Sequence, residues 1–410
     1  MSYVKKIMYG EPAEKDFNIR TAMEEATRCL LCEDAPCSKG CPAGTNPGKF
    51  IRSIRMRNFK GAAETIRENN ILGGTCALVC PYGNLCEKEC ARCGIDEPIK
   101  IGKLQKFAIE QEKLFNMQTL RAPETKVGKK VACIGSGPAS LACAAKLAQA
   151  GLDVTIIEQY EKAGGVLTYG ITPSRLPQDV IEHDIDQVRK LGVEFKFNTR
   201  IDAKDGVEGL LKEYDAVFVG VGLWKGSIPD IEGRDAKGVY SAQEFLKYAR
   251  ENDGNIKLGD DILVIGGGDV AMDCASTSKQ LGAKNVAIVY RRTIEEAPAY
   301  HEEIKYVQSM GVPIHTRFAP EKIEKNADGQ VEKMLFKSWD NVSELSMKAD
   351  TVIFAIGQKA SDDYREIDLP KGAFMNGDIV NGGMTVVQAV ADGKVSADEI
   401  LNYLGIKGDK

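Results

Sequence analysis

Several features are scarce or absent in this sequence, and each absence narrows the class of protein. No run of apolar residues is long enough to cross a bilayer, and residues 1–17 contain no apolar signal core. The 54 basic and 59 acidic residues give a net charge of −5, which argues against nucleic-acid binding. No Ser–His–Asp set or carboxylate pair is evident, and the three histidines lie apart, near no motif, where we expect surface positions. We therefore expect a cytosolic protein that binds neither membranes nor nucleic acids. The histidines are His183, His301 and His315.

Cysteine, in contrast, is abundant in one part of the chain. Eight of the twelve cysteines lie within residues 29–90, in two blocks of four. In a cytosolic protein such spacing is more typical of metal or redox sites than of disulfides, and two cysteines precede proline, as in iron–sulfur ligand runs. Structural zinc is the alternative, but two paired zinc sites would usually show two Cys-x-x-Cys knuckles each. We expect iron–sulfur clusters. The blocks are Cys29, Cys32, Cys37 and Cys41, and then Cys76, Cys80, Cys86 and Cys90.

At 410 residues the chain is long enough for two or three domains. Residues 1 to about 122 are predicted to form short helices around the cysteine blocks. Thr21 and Glu24 form a candidate capping box that would open the first helix. Residues 121–130 have the composition of a linker. Of the other cysteines, we expect Cys93 to be a spare thiol and the rest to be small buried residues. These last three are Cys133, Cys143 and Cys274.

A dinucleotide-binding pattern begins at Lys130. A short apolar strand, a glycine turn, an alanine-rich helix and a second strand ending at Glu158 form a βαβ unit. Gly135 and Gly137 allow the close approach of a pyrophosphate to the helix N-terminus, although Ser140 replaces the third glycine. Glu158 is placed to accept hydrogen bonds from ribose hydroxyl groups.

The same pattern repeats from residue 261, with Gly266, Gly268 and Ala271 at the fingerprint positions. No acid ends the second strand, where Arg291 and Arg292 stand instead. Cations at this place suit the 2′-phosphate of NADP, although a solvated charge pair is the plain alternative. Two fingerprints with opposite charges at the ribose position indicate two different dinucleotides.

The C-terminal part is predicted to contain a buried strand, a turn and a final helix. Asp378, after Gly377, is placed to bind the ribityl chain of a flavin. We assign this part to the first dinucleotide domain, so that the second domain is an insertion. The predicted fold is α/β, with a helical iron–sulfur domain (1–122), a first dinucleotide domain in two parts (128–222 and 348–410) and an inserted second dinucleotide domain (230–347).

Two nested dinucleotide domains behind a helical cysteine domain resemble the glutamate synthase small-subunit superfamily. The resemblance covers essentially the whole chain and rests on GGVLTYG, GGGDVAMD, YRRTIEEAPA, AIGQ and GDIV. Within that superfamily, RCLLCEDAPCSKGCP, GKFIRSI and IGKLQKF are most similar to the NAD(P)H-oxidising subunits of bacterial dihydropyrimidine dehydrogenase. The sequence departs from this pattern at residues 172–174, at FMNGD and in a shortened segment, 358–377.

The resemblance implies particular ligands and contacts. One [4Fe–4S] cluster would take Cys29, Cys32, Cys37 and Cys90, and the other Cys41, Cys80, Cys86 and Gln105, with Cys76 left over. From the residues alone, Gln105 would be a polar residue on a helix surface. The cofactor-binding residues expected for FAD and NAD(P)H together are Gly135, Gly137, Pro138, Ala139, Glu158, Gly165, Leu167, Arg175, Gly266, Gly268, Asp269, Val270, Ala271, Arg291, Arg292, Gly357, Gly377, Asp378, Thr385 and Val386.

The function implied by the resemblance is electron input to dihydropyrimidine dehydrogenase. NADPH, or NADH, would reduce FAD, and two clusters would carry the electrons to an FMN-containing partner subunit that interconverts uracil or thymine and 5,6-dihydropyrimidines. A heterotetramer of the two subunits is expected. The alternatives are the small subunit of glutamate synthase, that of a ferredoxin:NADP transhydrogenase, a cluster-bearing redox sensor and a zinc-binding adaptor.

Overall fold

A computed structural model describes residues 16–365 and 367–406, which divide into two compact units. The first unit contains residues 16–168, 176–223 and 360–406 apart from 366, and the second contains residues 169–175 and 224–359. The predicted segments 1–122 and 348–410 extend into residues 1–15, 366 and 407–410, which lie outside the described residues. No helix within the described residues is long and apolar enough to cross a membrane.

A first, wholly helical segment is followed by a longer segment that contains both helices and strands. The helices are α1 (Ile19–Thr27), α2 (Pro36–Lys39), α3 (Pro47–Arg55), α4 (Phe59–Asn69), α5 (Gly73–Val79), α6 (Ile101–Leu114), α7 (Pro138–Gln149), α8 (Val166–Tyr169), α9 (Gln178–Lys190), α10 (Asp205–Leu210), α11 (Ala242–Glu251), α12 (Asp269–Gln280), α13 (His301–Ser309), α14 (Asp378–Asn381) and α15 (Val386–Tyr403). The strands are β1 (Lys130–Ile134), β2 (Asp153–Ile157), β3 (Glu194–Lys196), β4 (Ala216–Val219), β5 (Lys225–Gly226), β6 (Val239–Ser241), β7 (Asp261–Ile265), β8 (Asn285–Tyr290), β9 (Ile314–Thr316), β10 (Phe318–Lys325), β11 (Val331–Ser338), β12 (Glu344–Lys348), β13 (Thr351–Phe354), β14 (Gln358–Lys359) and β15 (Ala373–Met375).

The helical segment is held together by caps and a small apolar core. Helix α1 begins at Ile19, because the Asn18 side chain accepts a hydrogen bond from the Thr21 amide at 3.0 Å and completes a capping box. The prediction that Thr21 opens this helix is therefore wrong, since asparagine caps at least as well as threonine and stands earlier in the chain. Phe50 and Ile54 of α3 are fully buried in the same core as Leu104 of α6.

The first unit contains a five-stranded sheet in the order β15–β4–β1–β2–β3, with all its pairs parallel. Strands β1 and β2 are buried except at their first residues, as expected for a sheet covered by helices on both faces. The strand order reverses direction at β1, and ligands of such sheets bind beyond the carboxyl ends of the strands at this reversal. The glycine turn after β1 lies there.

The second unit contains a parallel sheet in the order β6–β13–β7–β8–β9, together with an antiparallel three-stranded sheet, β10–β11–β12. Strand β13 pairs in register with β7, from Thr351 opposite Ile262 to Phe354 opposite Ile265. The sequence analysis assigned this strand to the first domain, because its apolar run shows burial without showing which sheet buries it. The chain returns to the first unit at Ala360, and β15 then completes the first sheet.

A buried ionic network joins the helical segment to the first sheet domain. The side chain of Arg67, in α4, is fully buried and pairs with Glu112 of α6 at 2.6 Å and with Asp184 of α9 at 2.5 Å. Asp184 also accepts hydrogen bonds from the amides of Gly74 and Thr75, at the start of α5. Helices α4 and α5 of the helical segment are thus bound to α9 by hydrogen bonds to a charged group, which are stronger than hydrogen bonds between neutral groups.

Glu112 receives further donors at the centre of this network. The hydroxyl of Thr119 donates to it at 2.6 Å, and His183 Nε2 lies 3.0 Å from it. Burial alone would raise the pKa of Glu112, but the Arg67 charge and the hydrogen bonds from His183, Arg67 and Thr119 lower it to about 2. His183 is therefore a bonded, half-buried residue and not the surface residue predicted, whereas His301 is exposed.

Replacement of Arg67 by methionine should destabilise the first unit strongly, because two carboxylates would remain buried without their cation. Breaking a buried ion pair in this way typically costs about 3–5 kcal/mol. We expect a large fall in the urea midpoint at pH 7, whereas Arg52→Met, at an exposed position of α3, should change it little. Equal midpoints for the two variants would contradict a stabilising network.

The acid dependence of stability gives an independent test of the same network. The folded pKa of Glu112, about 2, is below its unfolded value of about 4.3, so the ionised carboxylate stabilises the folded state above that value. Wild-type protein should lose this contribution as the pH falls from about 4.3 to about 2. The urea midpoint of Glu112→Gln should be lower at neutral pH and flatter across this window.

Candidate functional site

Four cysteines from both sequence blocks form the first cysteine group. Cys29 follows α1, Cys37 lies in α2, and Cys90 precedes a turn of 3₁₀ helix, Ala91–Gly94. Burial and, to a smaller extent, the nearby Cys90, Cys29 and Cys32 together raise the pKa of the Cys37 thiol to about 11. Burial also raises the pKa of Cys29, whose electrostatic neighbours include Cys90 and Cys32. The first cysteine group is therefore Cys29, Cys32, Cys37 and Cys90.

The other four cysteines form the second cysteine group. Cys76 lies in α5, and Cys80 ends that helix one turn later, so their side chains share a face. A hydrogen bond with Cys76 and burial raise the pKa of Cys80, and the thiols of Cys86 and Cys41 act on it in the same direction. The second cysteine group thus contains Cys76 as well as Cys41, Cys80 and Cys86. The i, i+4 spacing of Cys76 and Cys80 is the sequence signal that could have placed Cys76 here.

Gln105 lies beside α5 and is not at a helix surface. It is buried in α6, with 6% of its surface exposed, and its Nε2 donates to the Gly73 carbonyl at 2.7 Å. This bond occupies the nitrogen end of the amide and leaves the oxygen as the atom suited to a metal.

Thiolates are the ligands of [4Fe–4S] clusters, so each cysteine group has the donor chemistry that such a cluster requires. Each group combines residues from two separated stretches, 29–41 and 76–90, which means that the fold and not local spacing assembles it. Within the described ranges, no three His, Cys, Asp or Glu side chains are arranged to hold a single metal ion. All twelve cysteines are free thiols.

The glycine turn after β1 has the form of a phosphate site. Gly135 has φ +85°, and a Cβ there would lie 2.8 Å from the Gly220 carbonyl oxygen, so a side chain is excluded. A Cβ on Gly137 would meet nothing within 4 Å, which leaves open space at the N-terminus of α7. Pro138 and Ala139 open the helix, and a Cβ on Gly165 would lie 2.9 Å from Gly137 Cα.

Glu158 is held by the same turn. Its carboxylate accepts from the Ser136 hydroxyl at 2.6 Å, from the Ser136 amide at 2.9 Å and from the Tyr160 amide at 2.9 Å. A carboxylate has about four lone-pair sites, so one remains for a ribose hydroxyl. Ser136, which the sequence analysis did not single out, therefore fixes the orientation of the acid. Leu167, also among the expected contacts, is fully buried.

The C-terminal residues of the expected set lie around the start of α7. Gly377 has φ +82°, and a Cβ there would lie 2.9 Å from the Ala139 Cβ. Asp378 accepts from the Met384 amide at 3.3 Å, and burial raises its pKa. Thr385 caps α15 through a hydrogen bond from the Gln388 amide at 3.2 Å, and Val386 is the first residue of that helix. Gly377 and Asp378 are thus brought to the α7 turn from more than 200 residues away along the chain.

The glycine turn after β7 repeats the arrangement in the second unit. A Cβ on Gly266 would lie 2.3 Å from the Ala355 carbonyl oxygen, whereas one on Gly268, at the start of α12, would meet only Pro298, at 3.7 Å. Asp269 accepts from the Tyr300 amide at 3.0 Å, and burial raises its pKa. Val270 is partly exposed and Ala271 is buried. Gly357 has φ +111°, and its carbonyl accepts from the Ser227 amide at 3.0 Å.

Arg291 and Arg292 are both exposed, directly after β8. The Arg317 amide donates to the Arg292 carbonyl at 3.0 Å, so the backbone of a third exposed arginine lies next to that of Arg292. Sequence reasoning missed Arg317 because it lies 25 residues further along the chain. The three arginines make the end of β8 positively charged.

Arg175 belongs to the second unit. Its guanidinium contacts Asp273 at 2.8 Å and Glu303 at 3.2 Å. Burial raises the pKa of Glu303 to about 7, with Arg175 opposing and Asp273 reinforcing the shift. Asp273 is buried, and its Oδ1 has no hydrogen-bond partner. These ion pairs fix residues 169–175 against α12 and α13.

In comparisons with known proteins, family models match two successive parts of the chain. Residues 7–117 match the family model for dihydropyrimidine dehydrogenase domain II, 4Fe–4S cluster, and residues 129–380 match that for pyridine nucleotide-disulphide oxidoreductases. The NAD-dependent dihydropyrimidine dehydrogenase subunit PreT of Escherichia coli O157:H7 is 46% identical over 93% of this chain and 94% of its own. The glutamate synthase [NADPH] small chain of Escherichia coli K12 is 31% identical over 98% of this chain and 95% of its own.

Among solved structures, FprA of Mycobacterium tuberculosis in complex with NADPH has a TM-score of 0.58 and 17% identity. The match covers 68% of this chain and 84% of FprA, and it shows a shared fold. Because a family model matches more than half of the sequence and close relatives align over nearly all of it, the chain belongs to the pyridine nucleotide-disulphide oxidoreductase family, in the group that contains the PreT subunits of NAD-dependent dihydropyrimidine dehydrogenase.

Proposed function

We propose that the chain is the electron-input subunit of a dihydropyrimidine dehydrogenase. It oxidises NAD(P)H at FAD and passes the electrons through two [4Fe–4S] clusters to an FMN-containing partner subunit, which interconverts uracil or thymine and 5,6-dihydropyrimidines. The observation that carries this proposal is the assembly of eight cysteines into two groups of four within the same unit as the first dinucleotide turn. When bound, FAD takes up a hydride, and the clusters carry single electrons.

The residues of the first unit supply the flavin site. The open side of Gly137 admits a pyrophosphate to the N-terminus of α7, where backbone amides and the helix dipole favour an anion. Glu158, oriented by Ser136 and Tyr160, accepts from ribose hydroxyls. Asp378 lies at the same turn, through its neighbour Gly377, and is suited to a hydroxyl of the ribityl chain. We assign residues 128–222 and 360–406 to this flavin domain.

The residues of the second unit supply the nicotinamide nucleotide site. Gly268 leaves the N-terminus of α12 open to a second pyrophosphate, and the exposed arginines after β8 suit a 2′-phosphate. The similar subunits are named NAD-dependent, so the proposal that this chain also accepts NADPH rests on the arginines alone. Closely spaced cysteines that serve as metal ligands suit a cytoplasmic location.

The function is tested by anaerobic purification from the native host. We expect an FMN-containing subunit to co-purify in a heterotetramer, and the complex to oxidise NADH or NADPH over many turnovers only when uracil or thymine is present. Without a pyrimidine, NAD(P)H should bleach the visible absorbance of flavin and clusters. Co-purification of a large glutamine-cleaving subunit would instead assign the chain to glutamate synthase, and a colourless protein would contradict both assignments.

The arginines after β8 are tested by nucleotide preference. Because a hydrogen bond to a charged group contributes about 1.5–3 kcal/mol, Arg291→Ala combined with Arg292→Ala should raise KM for NADPH by roughly tenfold or more. KM for NADH should stay within about twofold. Arg234→Ala, at an exposed arginine of the same unit, is the matched control. Equal losses with both nucleotides would exclude a 2′-phosphate site.

The fourth ligand of the second cysteine group is tested by iron content and cluster spectra. We propose Gln105 in this role, so Gln105→Ala should lower iron and labile sulfide and change the electron paramagnetic resonance signal of one cluster. Cys76→Ala should leave both properties close to wild type. Loss of a cluster in Cys76→Ala, with a normal Gln105→Ala, would transfer the ligand role to Cys76.

A further inference from the structure

A lysine of the flavin domain reaches into the helical cysteine segment. Lys394, in α15, donates through its ammonium group to the Ala43 carbonyl at 2.7 Å and to the Asn69 carbonyl at 2.8 Å. Ala43 is two residues beyond Cys41, and Asn69 is the last residue of α4. The carbonyl groups at a helix C-terminus carry partial negative charge, so the contact with Asn69 suits a cation, and the Ala43 carbonyl in the loop before α3 provides a second acceptor.

The residue before Lys394 contacts the phosphate turn of the flavin domain. A Cβ on Gly393 would lie 2.1 Å from the Ala139 carbonyl oxygen, so only glycine permits α15 to approach the first turn of α7 this closely. Two consecutive residues of one helix therefore contact the two sites, with Gly393 against α7 and Lys394 against the segment that carries Cys41. The same helix packs against α5, which carries Cys76.

The Lys394 ammonium is also electrostatically coupled to the second cysteine group. Burial and the nearby Lys146 lower its pKa, whereas Cys41 and Asp398 act to raise it. Lys146 is itself paired with Asp398 at 2.5 Å, which offsets its charge. The hydrogen-bond acceptors of Lys394 are neutral carbonyls, and its positive charge acts on Cys41 as well as on Asp398.

We propose that Lys394 is a positioning residue that fixes the second cysteine group against the flavin-binding helix and raises the reduction potential of the cluster held there. The inference rests on the proposed function, because it requires a cluster at this group. A fixed cation favours the reduced cluster, which carries one more negative charge than the oxidised cluster. Each transfer removes one electron from the reduced flavin and adds one to a cluster. Two transfers therefore use both electrons that NAD(P)H supplies as a hydride, and the proton of that hydride is released from the flavin.

The test is a potentiometric titration of the purified holoprotein, followed by electron paramagnetic resonance. At interaction distances within a protein, one unit charge is sufficient to change the reduced-to-oxidised ratio at a fixed potential roughly tenfold, which is about 59 mV for a one-electron couple. We expect Lys394→Gln to lower the potential of one cluster by this amount and to leave the other unchanged. Reduction of FAD by NAD(P)H should keep its wild-type rate, while cluster reduction becomes slower.

Two matched variants separate charge from packing. Lys394→Arg keeps the cation, so the reduced-to-oxidised ratio of the cluster at a fixed potential should stay within about twofold of the wild-type ratio. Lys146→Gln removes a cation on the adjacent α7 that makes no bond to the cysteine segment, and its effect on this ratio should be similarly small. An unchanged potential in Lys394→Gln with normal iron content would overturn the inference. If Lys394→Gln loses its clusters, the result for Lys394→Arg distinguishes the two explanations. Native clusters with a native potential in Lys394→Arg would support the role of the charge. Loss of clusters in both variants would overturn the inference. A wild-type protein without clusters would instead refute the proposed function.

Discussion

The buried pairing of Arg67 with Glu112 and Asp184 is the constraint on which the rest of the first unit depends. All three side chains are fully excluded from solvent, so each charge is tolerable only while the others stay in place. The pairing connects α4, α6 and α9, and Asp184 adds the amides at the start of α5. Since α5 carries Cys76 and ends at Cys80, this network sets where the second cysteine group lies relative to the flavin domain.

Helix α15 provides a second connection between the helical segment and the first sheet domain, through different chemical groups. The Arg67 network pairs two carboxylates with a cation, whereas Lys394 donates to two backbone carbonyls of the helical segment, one in the loop before α3 and one at the end of α4. Glycine at position 393 permits close contact with α7, and the next residue, Lys394, donates to carbonyls of the helical segment. Two independent attachments, each made by a charged group, therefore hold the helical segment against the first sheet domain.

The sequence was sufficient for the parts of the fold that local rules determine. The two glycine turns, their flanking strands and the helices after them were predictable, because only glycine fits where Gly135 and Gly266 approach a carbonyl oxygen. Features that depend on distant partners were not. Gln105 and His183 look like surface residues until Gly73 and Glu112 are placed beside them, and β13 is equally apolar whichever sheet receives it. The cap of α1 was missed because Asn18 and Thr21 are both good capping residues and only the backbone path chooses between them.

The cysteine groups show most clearly what the spacing of cysteines along the sequence can and cannot predict. Spacing alone separates residues 29–41 from residues 76–90, yet each group draws on both stretches, since Cys90 joins the first and Cys41 the second. Each cysteine group therefore closes a long chain loop, and closing it costs conformational entropy that the local sequence cannot offset. The apolar core of the helical segment and the Arg67 network supply the long-range contacts that offset this cost.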